Sequence, residues 1–194
     1  MKRDIILAGV GGQGILSIAA AIGMAALDSG LYLKQAEVHG MSQRGGDVSS
    51  NLRIADHEIA SDLIPYGQAD LIVSVEPMES LRYLPFLSSE GWVITNTKPF
   101  VNISNYPDMD TLMAEISSLN KHVALDADEI AKSLGSAKSA NMVVLGAAAP
   151  FLEIPAEKLR DAIRKIFGRK GEDIVNLNIG AFDAGLSFAS SHMG

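Results

Sequence analysis

The hydrophobic positions fall into runs of two lengths, and their order predicts strands alternating with helices. Asp4 to Val10 is a short, continuously apolar run ending in glycines, as expected of a strand buried on both faces. From Gly12 to Leu27, "GQGILSIAAAIGMAAL" has helix length and is dense in alanine and glycine, and Asp28-Ser29-Gly30 supplies a stop. Further strands are predicted at 31–38, at 49–55, where Leu52 and Ile54 alternate with polar neighbours, and at 69–77, 91–97 and 121–128. Helices at 78–84 and 109–119 separate the later strands. After Asp128 the pattern is helical: "DEIAKSLG", "SANMVVLGAAAPFL", "PAEKLRDAIRKIFG" and "DIVNLNIGAFDAGLSFAS" follow in turn.

This order predicts an α/β fold, a Rossmann-like open, mostly parallel sheet with helices on both faces and a helical C-terminal third. No repeat or low-complexity linker interrupts the chain, so residues 1–194 read as a single domain. Met142, Val143, Leu145, Phe151 and Leu152 are expected to be core rather than ligand contacts.

Composition narrows the function. With 47% hydrophobic residues a real core is available. A formal charge of −7 and the lack of a basic stripe speak against nucleic acid. The absence of cysteine rules out disulfides, a thiolate nucleophile and thiolate-ligated iron–sulfur clusters on this chain. The apolar N-terminal run breaks at a glycine turn without a cleavage pattern, and no uninterrupted apolar stretch spans a bilayer, so the expectation is a cytoplasmic protein that does not bind a membrane.

Two glycine clusters carry the chemistry. In "GVGGQG", Gly9, Gly11 and Gly14 fit G-x-G-x-x-G between a strand and a helix, and the amides of Gly12, Gln13 and Gly14 stand where a helix start favours an anion. Such a tight turn needs glycines whether or not anything binds. Glu37, at the end of the second strand, could meet ribose hydroxyls and Arg44 a 2′-phosphate, so a stand-alone NAD(P)- or other dinucleotide-binding protein is one reading. No residue pattern for hydride transfer accompanies it. The second cluster, "EVHGMSQRGGDV", places Gly40, Gly45 and Gly46 around the hydrogen-bonding side chains of His39, Ser42, Gln43 and Arg44. It reads either as a solvated crossover loop or as a partner contact.

Taken together, "GVGGQGILSIAAAIG" (9–23), "QAEVHGMSQRGGDVSSNLRI" (35–54) and "NMVVLGA" (141–147) resemble the gamma-type domain of 2-oxoacid:ferredoxin oxidoreductases. The wording "EVHGMSQRGG" sides with the indolepyruvate branch, where the corresponding subunit is called beta. The resemblance implies oxidative decarboxylation of arylpyruvates to aryl-acyl-CoA, with electrons passed to ferredoxin. Thiamine diphosphate, magnesium and iron–sulfur clusters are then expected in an alpha partner subunit, and this chain would be inactive alone. It further implies docking through residues 39–46, with His39 and Arg44 at the partner or active-site rim. Coenzyme A is possible at the interface near Gly9 to Gly14. No catalytic residue or metal ligand is assigned to this chain.

Other candidates have simpler accounts. The histidines at 39, 57, 122 and 192 share no ligand spacing, and "DADE" (126–129) reads as a helix start. Basic residues in 160–173 read as helix-end charges, or as a patch facing ferredoxin or a subunit. Asn141 is expected to cap a helix or to reach across to a glycine loop.

Overall fold

The computed structural model describes residues 1–40 and 46–192. Six strands form one sheet: β1 (Lys2–Val10), β2 (Tyr32–His39), β3 (Asp47–Ala55), β4 (Ala69–Ser74), β5 (Leu87–Asn96) and β6 (His122–Leu125). The helices are α1 (Ile15–Leu27), α2 (Pro77–Arg82), α3 (Met109–Ser117), α4 (Ala127–Ser133), α5 (Ala140–Ala148), α6 (Ala156–Phe167) and α7 (Glu172–His192). The sheet order is β2-β3-β1-β4-β5-β6, and β1, β4, β5 and β6 are mutually parallel.

The α/β class and the mostly parallel sheet agree with the sequence pattern. β3 adds an unexpected feature. It runs antiparallel between β1 and β2, so the sheet is mixed at that edge. The connection from His39 to Asp47 is too short for a parallel crossover, which needs about a dozen residues or more, and it returns the chain as a hairpin instead. Boundaries shift modestly: β4 stops at Ser74 because Glu76-Pro77 starts a helix, and β6 stops at Leu125 because Asp126 caps α4 through the Glu129 amide at 2.8 Å.

The two sheet faces bury unequal cores. Ile5, Leu7, Leu52, Ile54, Leu71 and Ile94 point into a large layer built with α1, α5, α6 and α7. Ile6, Ile72 and Val93 form a smaller core on the opposite face with Ile64 and Ala69. α5 is apolar on nearly all sides, and Met142 to Ala148 are all buried, as their composition predicts for a central helix. Leu152 is fully buried, and Phe151 packs half-buried against Trp92.

Candidate functional site

The turn after β1 meets the turn before β3 at the C-terminal end of the parallel strands. The Gly11 amide donates to the Gly46 carbonyl at 2.9 Å, which joins the two glycine loops directly. Within the first loop the glycines have separate causes. A Cβ on Gly9 would lie 2.5 Å from Val75 Cγ2, so this position must be bare for β1 and β4 to be followed so closely by α1. Gly14 has φ +83°, and its Cβ would fall 2.5 Å from Asn141 Nδ2, which donates to the Gly14 carbonyl at 3.1 Å. Asn141 therefore reaches across to the glycine loop rather than capping α5, whose N-cap is Ser139.

Gln13 ties the same turn from within. Its Oε1 accepts from the Val10 amide at 2.8 Å, and its Nε2 donates to the Val75 carbonyl at 3.4 Å. These bonds fill the crevice between β1 and β4, where the connections leave to opposite sides of the sheet, with a protein side chain. What remains for a ligand are the amides of Gly12, Gly14, Ile15 and Leu16, which donate to no other group among the described residues. They border a cleft of about 720 Å³ whose far wall is His39, Gly40 and Val48. A smaller recess of about 150 Å³ lies on the other side of Gly12, between Asn96, Asp128, Lys138 and Asn141.

His39 is half exposed and its Nε2 is 3.3 Å from Glu37 Oε2. The Gly40 amide continues the hairpin by donating to the Asp47 carbonyl at 2.8 Å. Ser42, Gln43, Arg44 and Gly45 lie outside the described residues. Glu37 does not stand where a dinucleotide site would need it. In register it follows Leu7 and Ser50, so β3 separates it from β1, two strand spacings or roughly 10 Å away. Its carboxylate is bonded instead to Gln35 and His39.

The sequence reading missed a group of acids beside this site. Glu76 is fully buried, and its Oε2 accepts the Glu79 amide at 2.9 Å as the N-cap of α2. Its Oε1 accepts the Phe100 amide at 3.2 Å and the Tyr106 hydroxyl. Burial and then the Glu76 carboxylate raise the phenol of Tyr106 above its usual range. The only sequence signal was Glu-Pro after an apolar strand, a helix-start pattern; the role of Tyr106, thirty residues on, leaves no local trace.

Glu79 is also buried, and that burial raises its carboxyl above the ordinary value of 4.5, while Arg82 at 2.8 Å works in the opposite direction. The folded protein thus holds a proton on Glu79 at pH values where the unfolded chain has released it. Stability from this group is greatest below about 4.5 and declines as pH rises through the folded value. Urea unfolding of wild type and Glu79→Gln between about pH 4 and about pH 8 will show the midpoint difference moving in favour of the variant as pH rises. A difference independent of pH would remove this account.

Arg164 and Lys165 lie in the last turn of α6, as the helix-end reading expects, and the α6 arginines are engaged with acids rather than open as a patch. Arg160 pairs with Asp183 and Glu157, and Arg164 with Glu157 and Asp161, at 2.7–3.0 Å. His57 pairs with Asp56 at 2.8 Å. Among the described residues no three His, Asp or Glu side chains could hold a metal together, and no helix is long and apolar enough to cross a membrane.

With this geometry in view, the family is decided by a profile of pyruvate ferredoxin/flavodoxin oxidoreductases, which matches residues 4–188. The chain belongs to that family. It is a subunit of the 2-oxoacid oxidoreductase class, as the sequence motifs imply. The indolepyruvate oxidoreductase subunit IorB of Archaeoglobus fulgidus is 37% identical over 98% of this chain and 97% of its own length. Among solved structures, the gamma subunit of a keto/oxoacid ferredoxin oxidoreductase from Geobacter sulfurreducens superposes with a TM-score of 0.71 at 25% identity, covering 97% of this chain and 99% of that one. The 2-oxoglutarate:ferredoxin oxidoreductase of Magnetococcus marinus, solved with 2-oxoglutarate, coenzyme A and succinyl-CoA bound, shares the fold at a TM-score of 0.78 and 22% identity. That match covers 98% of this chain but only 31% of the longer one.

Proposed function

We propose that this chain, a single domain over residues 1–194, is the subunit of a cytoplasmic indolepyruvate:ferredoxin oxidoreductase that carries neither thiamine diphosphate nor iron–sulfur clusters. The observation that carries the reading is its 37% identity to an indolepyruvate oxidoreductase subunit over nearly the whole of both chains. The alpha partner decarboxylates the arylpyruvate with thiamine diphosphate and magnesium and sends electrons through its clusters to ferredoxin. With no cysteine, this chain offers no thiolate to such a cluster.

What this chain contributes is a shaped rim. His39, Gly40 and Gly46, together with Ser42, Gln43, Arg44 and Gly45, face the partner, and Arg44 supplies a fork of hydrogen bonds to a carboxylate or carbonyl. His39 contributes packing or one hydrogen bond, not proton transfer. The turn from Gly9 through Gly11, Gly12 and Gln13 to Gly14 is held by protein contacts, and only its outward amides are available. Those of Gly12, Gly14, Ile15 and Leu16 suit the diphosphate end of coenzyme A, whose role is to accept the acyl group.

The test is reconstitution. Mixed with the thiamine- and cluster-bearing subunit, this chain should give arylpyruvate- and CoA-dependent reduction of a low-potential acceptor, and alone it should give none. Arg44→Ala should lower assembly or turnover by about tenfold or more; unchanged assembly and rate would remove the rim assignment. Titrating the isolated chain with NAD(H), NADP(H) and FAD tests the dinucleotide alternative, and tight binding of any of them would overturn the subunit reading.

A further inference from the structure

The recess of about 150 Å³ beyond Gly12 gathers side chains from distant parts of the sequence: Asn96 at the end of β5, Asp128 in the first turn of α4, and Lys138 and Asn141 around the start of α5. A whole small molecule usually needs about 300–1,000 Å³, so a recess of this size takes one end of a ligand whose remainder lies elsewhere. Gly12 lines both this recess and the cleft of about 720 Å³. Its φ is +101°, and open space stands where a Cβ would be, so it forms a low saddle over which one molecule reaches both.

The polar groups of the recess are set in advance. Asn96 is buried, and its Nδ2 donates to the Val75 carbonyl at 3.2 Å and to Asp128 Oδ2 at 2.7 Å. Its Oδ1 accepts the amides of Ala127 at 3.0 Å and Lys98 at 3.3 Å, so the whole side chain is committed as a strut. Asp128 is thereby fixed, while its Oδ1 takes no hydrogen bond from any described residue. Lys138 likewise has no acid or carbonyl partner among the described residues, whereas Lys2, Lys121 and Lys165 are each paired with an acid. A carboxylate beside an unneutralised ammonium does not suit a lone phosphate, which the carboxylate repels, or a plain ribose, which leaves the ammonium unused. It suits a ribose that carries a phosphate next to a free hydroxyl: the hydroxyl donates to Asp128 and the phosphate meets Lys138.

We propose that this recess is the subsite for the 3′-phosphorylated ribose of coenzyme A, with Lys138 on the 3′-phosphate and Asp128 on the 2′-hydroxyl, while the diphosphate crosses Gly12 to the outward amides of α1. Lys138 is then the residue that tells coenzyme A from its 3′-dephospho form. The proposal rests on the coenzyme A reading above. NADPH presents the same chemistry as a 2′-phosphate beside a 3′-hydroxyl, and coenzyme A is preferred because no residue pattern for hydride transfer accompanies the turn.

Calorimetry on the assembled complex tests this through the dissociation constants of coenzyme A, 3′-dephospho-coenzyme A and NADPH. Wild type should prefer coenzyme A to the dephospho form by about tenfold or more. Lys138→Met should weaken coenzyme A by about that factor and leave the dephospho form within about twofold, so that the preference disappears, while Lys138→Arg keeps it. Lys132→Met, which removes an exposed lysine of α4 that does not line the recess, should change neither. Asp128→Asn should weaken both forms together by about threefold or more, since both carry the 2′-hydroxyl. A wild-type enzyme without the preference, a preference that survives Lys138→Met, or equal weakening of both forms by that variant would overturn the recess assignment while leaving the subunit reading intact. No binding of coenzyme A to the wild-type complex would overturn the coenzyme A reading and the recess together. Tight NADPH binding that Lys138→Met abolishes would give the recess to a nicotinamide nucleotide and refute the assignment.

Discussion

Gly146→Ala and Gly185→Ala will each lower the melting temperature by about 10 °C or more, corresponding to roughly 3 kcal/mol or more in a chain of this size. The reason is backbone against backbone. A Cβ on Gly146 would stand 1.9 Å from the Phe182 carbonyl oxygen and 2.9 Å from the Leu186 amide. Reciprocally, a Cβ on Gly185 would stand 1.9 Å from the Val143 carbonyl oxygen and 2.9 Å from the Ala147 amide. No rotamer relieves such a contact; α5 and α7 have to separate, and α5 lies in the middle of the larger core. Gly180→Ala is the internal control. It sits on the same helix with nothing within 4 Å, so helix propensity alone should make it neutral or stabilising by up to about 1 kcal/mol. Thermal unfolding of the three variants decides the matter, and a Gly146→Ala protein melting within about 2 °C of wild type would refute the packing account.

Asp4→Ala will destabilise the fold by about 3–5 kcal/mol. Asp4 is a fully buried carboxylate on β1 facing Arg53 of β3, which grips it at 2.8 and 3.0 Å, and Lys2 adds a contact at 2.8 Å. Removing the acid leaves the Arg53 guanidinium, itself largely buried, with only the Ser61 and Leu63 carbonyls. The penalty is the unpaired charge rather than the lost attraction, so Asp4→Ala/Arg53→Met should recover most of it. A double-mutant cycle in urea reads the coupling directly. If the single variant loses less than about 1 kcal/mol, or the double variant is no better, the pair is not what holds this edge together.

The elements were legible because their signals are local. Continuous apolar runs marked β1 and β4, alternation at Leu52 and Ile54 marked β3, and glycines and capping acids marked the helix ends. The direction of β3 was not read from the sequence: the connection from β2 is short enough to require a hairpin only once both strand ends, His39 and Asp47, are placed. The glycine pattern drew attention toward a dinucleotide site, whereas Gly9 and Gly14 answer first to Val75 and Asn141. Asn141 could be singled out in advance because it belongs to the resembling segment. Glu76 could not, because its burial depends on Phe100 and Tyr106, and a capping glutamate in sequence looks like any solvated one.

The contact between Gly11 and Gly46 is an accident of neither loop. Nine consecutive residue pairs join β1 to β3, from Lys2 opposite Ala55 to Val10 opposite Asp47. A slip of one pair would displace Gly46 by about 3.3 Å and turn Leu52 and Ile54 out of the core. The alignment of the rim is therefore a dimension inherited from the interior: two aliphatic residues well along β3 from the cleft set where its far wall stands, and selection on the core is at the same time selection on the width of the opening.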